Sequence, residues 1–181
     1  MTNTNDITVQ NVRDALSIYG VTTGLTDSQI TALIGYKTNE LSELIGVPIG
    51  TVSKEYTNLD FLGNRVFLPL YPVNNITSIK LGDTDITDYK LKKNDGYIKL
   101  STTLQGELTV NYDYGLNLDN MLKNLIIDMI VSQCKYGLDG GASSVREGDV
   151  SVTYNGNGFN DNIQTRIDNL RNTYSGRLRL L

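Results

Sequence analysis

The chain has 181 residues, with 16 Lys and Arg against 20 Asp and Glu and a formal net charge of -4. That length predicts a single domain with a substantial core, and that charge excludes a general attraction to nucleic acid, which would need a local basic patch. Histidine is absent, which excludes Ser-His-Asp and Cys-His catalysis and removes the commonest metal ligand. The one cysteine, Cys134, leaves no intrachain disulfide and no Cys-rich zinc site. The longest apolar run, "LIIDMIV", is far too short for a bilayer span, and "MTNTNDITVQ" has no signal-peptide core. A protein made and kept in the cytoplasm, with no membrane partner, is expected.

Residues 8–19, "TVQNVRDALSIY", place Val9, Val12, Leu16 and Tyr19 at helical spacing, with Thr8 as N-cap and Gly20 as stop. In "TDSQITALIGYKTNELSELIGVP", Thr26 and Gln29 form a capping-box pattern. Ile30, Leu33, Ile34, Leu41, Leu44 and Ile45 line one face there, and Gly46 and Pro48 end the helix. From Arg65 to Gly115 the period becomes two: "RVFL", "ITSIKL", "TDYKL", "GYIKLS" and "ELTVNYDYG" read as short strands. Asn94-Asp95-Gly96 is the strongest hairpin turn, and Pro69 and Pro72 suit a sheet entry or edge.

A third helix over about residues 119–136 carries a broad apolar face that includes Leu122, Leu125, Ile126, Ile130 and Cys134. Core packing is the assigned role of that thiol. The glycine-rich "DGGASSVREG" then opens into the alternating "DVSVTY", and a fourth helix over about residues 160–174 aligns Ile163, Ile167, Leu170 and Tyr174. The tail "RLRLL" follows. The class is α+β: a mainly helical core of about four helices with an inserted antiparallel β meander and a hairpin-like arm before the last helix. In one domain over 1–181, the helical core takes 8–47 and 118–174, the β insert 64–115, the arm 139–154 and the tail 175–181.

Few residues suggest chemistry. The run at 139–154 lacks the Gly-Lys-Ser/Thr ending of a phosphate cradle. Glu147 with Asp149 reads as a solvated pair of loop acids in preference to an acid-base couple. Asp83, Asp85 and Asp88 crowd a turn and have the oxygen ligands a hard cation takes, but turn chemistry explains them without one. Tyr97, Tyr112, Tyr114 and Tyr154 lie in strands, where stacking on a single strand of nucleic acid would want interleaved Lys or Arg. No catalytic residue, cofactor or metal is assigned. The charge is asymmetric: up to Leu62 three bases, Arg13, Lys37 and Lys54, face seven acids, whereas from Ile163 onward Arg166, Arg171, Arg177 and Arg179 oppose only Asp168.

Several stretches in order carry a resemblance. They are Pro72-Val73 with Ile76, Ser78 and Ile79; Gly96, Tyr97, Ile98 and Leu100; Val110, Tyr112 and Gly115; and Gly148, Asp149, Ser151 and Tyr154. In this order the chain resembles the head-tail connector proteins of tailed bacteriophages, also called adaptor or head-completion proteins. Members often open the third helix with proline; "NLDNMLKN" has none, so Asn117 or Asp119 must cap it.

The resemblance implies a structural, non-enzymatic virion protein, assembled in the host cytoplasm into a neck ring of about twelve copies. Such a ring joins the portal protein to the tail, meets a stopper or tail-completion protein, and lets DNA pass without tight binding. It implies portal docking by the C-terminus, for which Arg177, Leu178, Arg179, Leu180 and Leu181 are the candidates. The arm, with Arg146, Glu147, Gly148, Asp149, Ser151 and Tyr154, is the expected contact with a neighbouring subunit or the channel. The alternatives are another neck or tail component, a stopper or tail-completion protein, and a carboxylate-based hydrolase.

Overall fold

The computed structural model describes residues 6–93, 96–136, 144–147, 150–153 and 157–175, with the backbone alone at 136, 144–147, 150–153, 157–159 and 175. In chain order the elements are helices α1 (Val9–Ile18) and α2 (Asp27–Ile45), strands β1 (Val52–Phe67), β2 (Val73–Leu81), β3 (Thr84–Asp85), β4 (Tyr89–Lys92) and β5 (Tyr97–Tyr114), helix α3 (Asn120–Tyr136), strands β6 (Ser144–Glu147) and β7 (Val150–Thr153), and helix α4 (Asn157–Ser175). The α+β class is the one expected. The chain divides into two compact units, residues 1–45 with 118–171, and residues 46–117 with 172–181.

The caps read from the sequence set the helix starts. Thr8 and Asn11 exchange side-chain and backbone hydrogen bonds, a full capping box for α1. Thr26 and Gln29 do the same for α2, at 2.8 and 3.3 Å. Asp119, one of the two residues expected to cap α3, accepts from Leu122 N at 2.9 Å. Arg13 of α1 pairs with Asp27 at 2.6 Å and donates to the Leu25 carbonyl, joining α1 to the start of α2.

In α3, Leu125, Ile126, Ile130 and Val131 are fully buried. Each such side chain stabilises the fold by roughly 1.5–3 kcal/mol relative to exposure, and this helix is the core of its unit. Cys134 is buried with them, and burial pushes its thiol pKa up, as a packing role requires. Ile163, Ile167 and Leu170 bury the inner stripe of α4, and Arg166 of α4 forms an ion pair with Asp128 of α3. Tyr19, expected on the apolar stripe of α1, is 42% exposed.

In the strand-rich unit, a five-stranded antiparallel sheet has the order β1-β5-β2-β3, with β4 also on β5. The predicted "GYIKLS" and "ELTVNYDYG" are one strand, because Gln105 and Gly106 stay in the ladder opposite Leu62 and Phe61 and form no turn. On one side β5 pairs with β1 along its length; on the other it pairs first with β4 and then with β2. β1 begins at Val52, twelve residues before the expected insert. Its first half is polar and exposed, so no alternation announces it, and pairing with β5 alone makes it a strand.

The ladder has to curl. Phe67 pairs with Tyr97 and Val73 pairs with Tyr114, yet residues 67 and 73 are linked by a segment that reaches at most about 22 Å. Drawn straight, β5 from 97 to 114 would span about 56 Å. Register shifts between Asn58 and Phe61 and between Gly63 and Arg65 release the bend, and Phe61 pairs with Gly106 at it. The curled sheet encloses its own core, including Phe61, Val66, Ile79, Ile98, Leu108 and Val110.

Chain entry and exit meet at one point. Leu116 N donates to the Pro48 carbonyl, Gly50 N to the Leu116 carbonyl, and Gly115 N to the Pro72 carbonyl. A Cβ at Gly115, whose φ is 124°, would stand 2.0 Å from the Gly50 oxygen and 3.0 Å from that of Pro48. Gly115→Ala is therefore expected to lose about 3 kcal/mol or more in urea unfolding. Gly24→Ala, where nothing lies within 4 Å of the added carbon, is expected to stay within about 0.5 kcal/mol of wild type.

Candidate interaction surfaces

Among the described residues no group of three or more His, Cys, Asp or Glu side chains stands close enough to hold a metal ion. The aspartates at the β2–β3 connection have structural places. Asp83 lies in the turn, Asp85 sits opposite Lys80 in the ladder, and the Asp88 carbonyl accepts from Ser101. A groove of about 880 Å³, lined by residues that include Thr22, Gln29, Leu33, Tyr36 and Gln133, presents no charged side chain. No described helix is long and apolar enough to cross a membrane.

Tyr112 is 1% exposed, and among the described residues its hydroxyl has no hydrogen-bond partner of ordinary geometry. Desolvation raises its pKa; the Leu70 backbone opposes that shift, and Tyr114 and Tyr56 add to it. The residue is core, at the junction where β5 lies between β1 and β2.

The predicted arm is a hairpin: β6 and β7 form their own two-stranded sheet, with Ser144 opposite Thr153, Val145 opposite Val152, Arg146 opposite Ser151 and Glu147 opposite Val150. Arg146 and Ser151 are thus brought directly across from each other. Gly148, Asp149 and Tyr154 lie outside the described residues, as do Arg177, Leu178, Arg179, Leu180 and Leu181, so the arm tip and the tail have no described geometry.

One surface escaped the sequence reading. Among the described residues β1 pairs only with β5, and it exposes Leu59, Leu62 and Phe67 at 68%, 70% and 49%. A free edge bearing exposed large apolar side chains is a surface on which another chain can add. Its sequence signal was the recurrence of Leu59, Phe61, Leu62 and Phe67 in an otherwise polar run, which is too irregular for strand alternation.

Residues 7–131 match the head completion protein family. Nothing matches among curated proteins. Among solved structures, a chain from the neck of an empty gene transfer agent particle, computed with C6 symmetry, is 13% identical with a TM-score of 0.57, covering 91% of this chain and 88% of that one. A chain from the neck of the native particle, computed with C12 symmetry, is 15% identical with a TM-score of 0.53, covering 90% and 87%. At these identities the likeness is one of fold.

Replacing Tyr112 by Phe removes a buried hydroxyl that has no partner of ordinary geometry among the described residues, an arrangement that costs about 1–3 kcal/mol. The expected outcome is an unchanged or higher Tm by calorimetry; a loss of more than about 1 kcal/mol would mean the hydroxyl is satisfied in solution.

Proposed function

The chain belongs to the head completion protein family, and from that premise we propose that it is a structural protein of a tailed phage, prophage or related particle. In this reading it forms a ring at the neck, joins the portal vertex to the tail and extends the DNA channel. The observation that carries the reading is the family match, which spans α1 through most of α3 and includes the whole sheet. The fold shared with chains of six- and twelve-fold neck reconstructions supports it. The role is adhesive and not catalytic: it needs surfaces that hold neighbours, and a ring of about twelve copies obtains them from one heterologous contact repeated around an axis.

The β6–β7 hairpin is the proposed contact with a neighbouring subunit or the channel, through Arg146, Glu147, Gly148, Asp149, Ser151 and Tyr154. The tail Arg177 to Leu181 is the proposed portal anchor, pairing two guanidinium groups with three leucines. A stopper or tail-completion protein would sit on the opposite side of the ring. A net charge of -4 suits a channel wall past which DNA must slide without being held.

Mixing the purified protein with the portal protein of the same genome tests this. A complex whose mass and low-resolution electron microscopy give a ring of about twelve copies on the portal is expected; no complex with a competent portal would overturn the reading. Deleting residues 176–181 is expected to abolish portal binding and leave the Tm unchanged. Retained binding would exclude the tail as anchor.

A further inference from the structure

The sheet register assembles a surface that no stretch of sequence displays. Arg65 of β1 is directly opposite Lys99 of β5, and Lys99 is directly opposite Lys90 of β4. Cross-strand partners share a face, so three cations form a row across three strands. Two residues along, on the same face, Phe67, Tyr97 and Lys92 make the next row. The residues between them, Val66 and Ile98, are buried in the core, so these two rows are on the outer face. All four cations are exposed.

The two rows interlock. The Arg65 guanidinium lies 5.7 Å from the centre of the Tyr97 ring, and the Phe67 and Tyr97 rings are 5.5 Å apart at 43°. Among the described residues none of the four cations makes an ion pair, although the chain carries more acids than bases. Like charges placed directly opposite each other destabilise a ladder. The arrangement is relieved when an anion sits on it.

We infer that this face binds a short acidic segment of a protein partner, one that brings carboxylates to the Arg65-Lys99-Lys90 row and an apolar or aromatic side chain to Phe67 and Tyr97. Charge complementarity selects an anion, and two considerations select protein over nucleic acid. The row spans two strand spacings, about 10 Å, which is also about one Debye length at 0.1 M salt. A short segment therefore feels the patch alone, whereas a long polyanion also meets the net negative charge of the rest of the chain. The exposed Phe67 ring and the half-buried Tyr97 ring beside the cations put Arg, Tyr and Phe together, residue types enriched at protein-interface centres. This inference stands on the geometry of the sheet and not on a neck location, so it and the portal experiment fail independently.

Fluorescence anisotropy of a labelled peptide alternating Glu with Phe or Leu, and of a single-stranded oligonucleotide of equal charge, tests it at about 20 mM and about 300 mM salt. The peptide is expected to bind at low salt, to weaken sharply at high salt, and to bind better than the oligonucleotide. Lys90→Gln with Lys99→Gln is expected to weaken it about tenfold or more, and Phe67→Ser to weaken it as well. The Tm of the lysine double variant is expected to hold or rise, because the repulsion is gone. Peptide binding equal in the double variant, tighter binding of the oligonucleotide, or no binding of either probe at low salt would each overturn the inference.

Discussion

The strand-rich unit depends on one close approach: the backbone of Gly115 against the carbonyls of Gly50 and Pro48, with a separation that admits hydrogen where any other residue has a carbon. This contact brings the end of β5 to the start of β1, and the Gly115 amide ties the same point to Pro72, just before β2. The start of β1, the end of β5 and the start of β2 are thereby tied together at one point. The short link from Phe67 to Val73, whose partners stand at opposite ends of β5, adds the curl that encloses the apolar core. The Tyr112 hydroxyl is buried in the same unit, among the described residues without a partner of ordinary geometry, and packing outweighs that loss.

Once the sheet curls, its two faces have different chemistry. The inner face is aliphatic and closed. Near Gly115 the outer face carries cross-strand polar pairs, Ser53 with Asp113, Thr57 with Thr109, and Asn111 with Ser78. These satisfy one another locally and leave little for a partner. Farther along, the same face changes to the cations Arg65, Lys90, Lys92 and Lys99 with the rings of Phe67 and Tyr97, and β1 keeps, among the described residues, a free edge with exposed leucines. A chain built this way draws its stability from its interiors and leaves an edge and a charged face exposed. That is the equipment of an assembly component, and it agrees with membership of the head completion protein family.

The helical unit is arranged more simply. Its core is α3, against which apolar stripes of the other helices are buried, and its polar contacts, Arg13 with Asp27 and Arg166 with Asp128, join one element to another. Exposed or half-exposed pairs of this kind contribute at most about 1 kcal/mol each. They set register between elements, while the buried leucines and isoleucines supply the stability.

Much of this was legible in the sequence because it is local. Caps at Thr8, Thr26 and Asp119 act within three residues, helical stripes repeat within two turns, and alternation marks β2, β4, the later half of β5 and β7. The order of these elements was enough for the family resemblance. What only tertiary structure decided is what depends on register between distant segments. Val52 to Asn64 became strand because β5 lies beside it, and Gln105-Gly106 stayed in strand because Leu62 and Phe61 of β1 lie opposite. Arg65, Lys90 and Lys99 became one surface because antiparallel pairing aligned residues far apart in the chain. Short-range hydrogen bonding and periodicity are encoded residue by residue, whereas cross-strand neighbours exist only after the loop-closure entropy has been overcome and the ladder has formed.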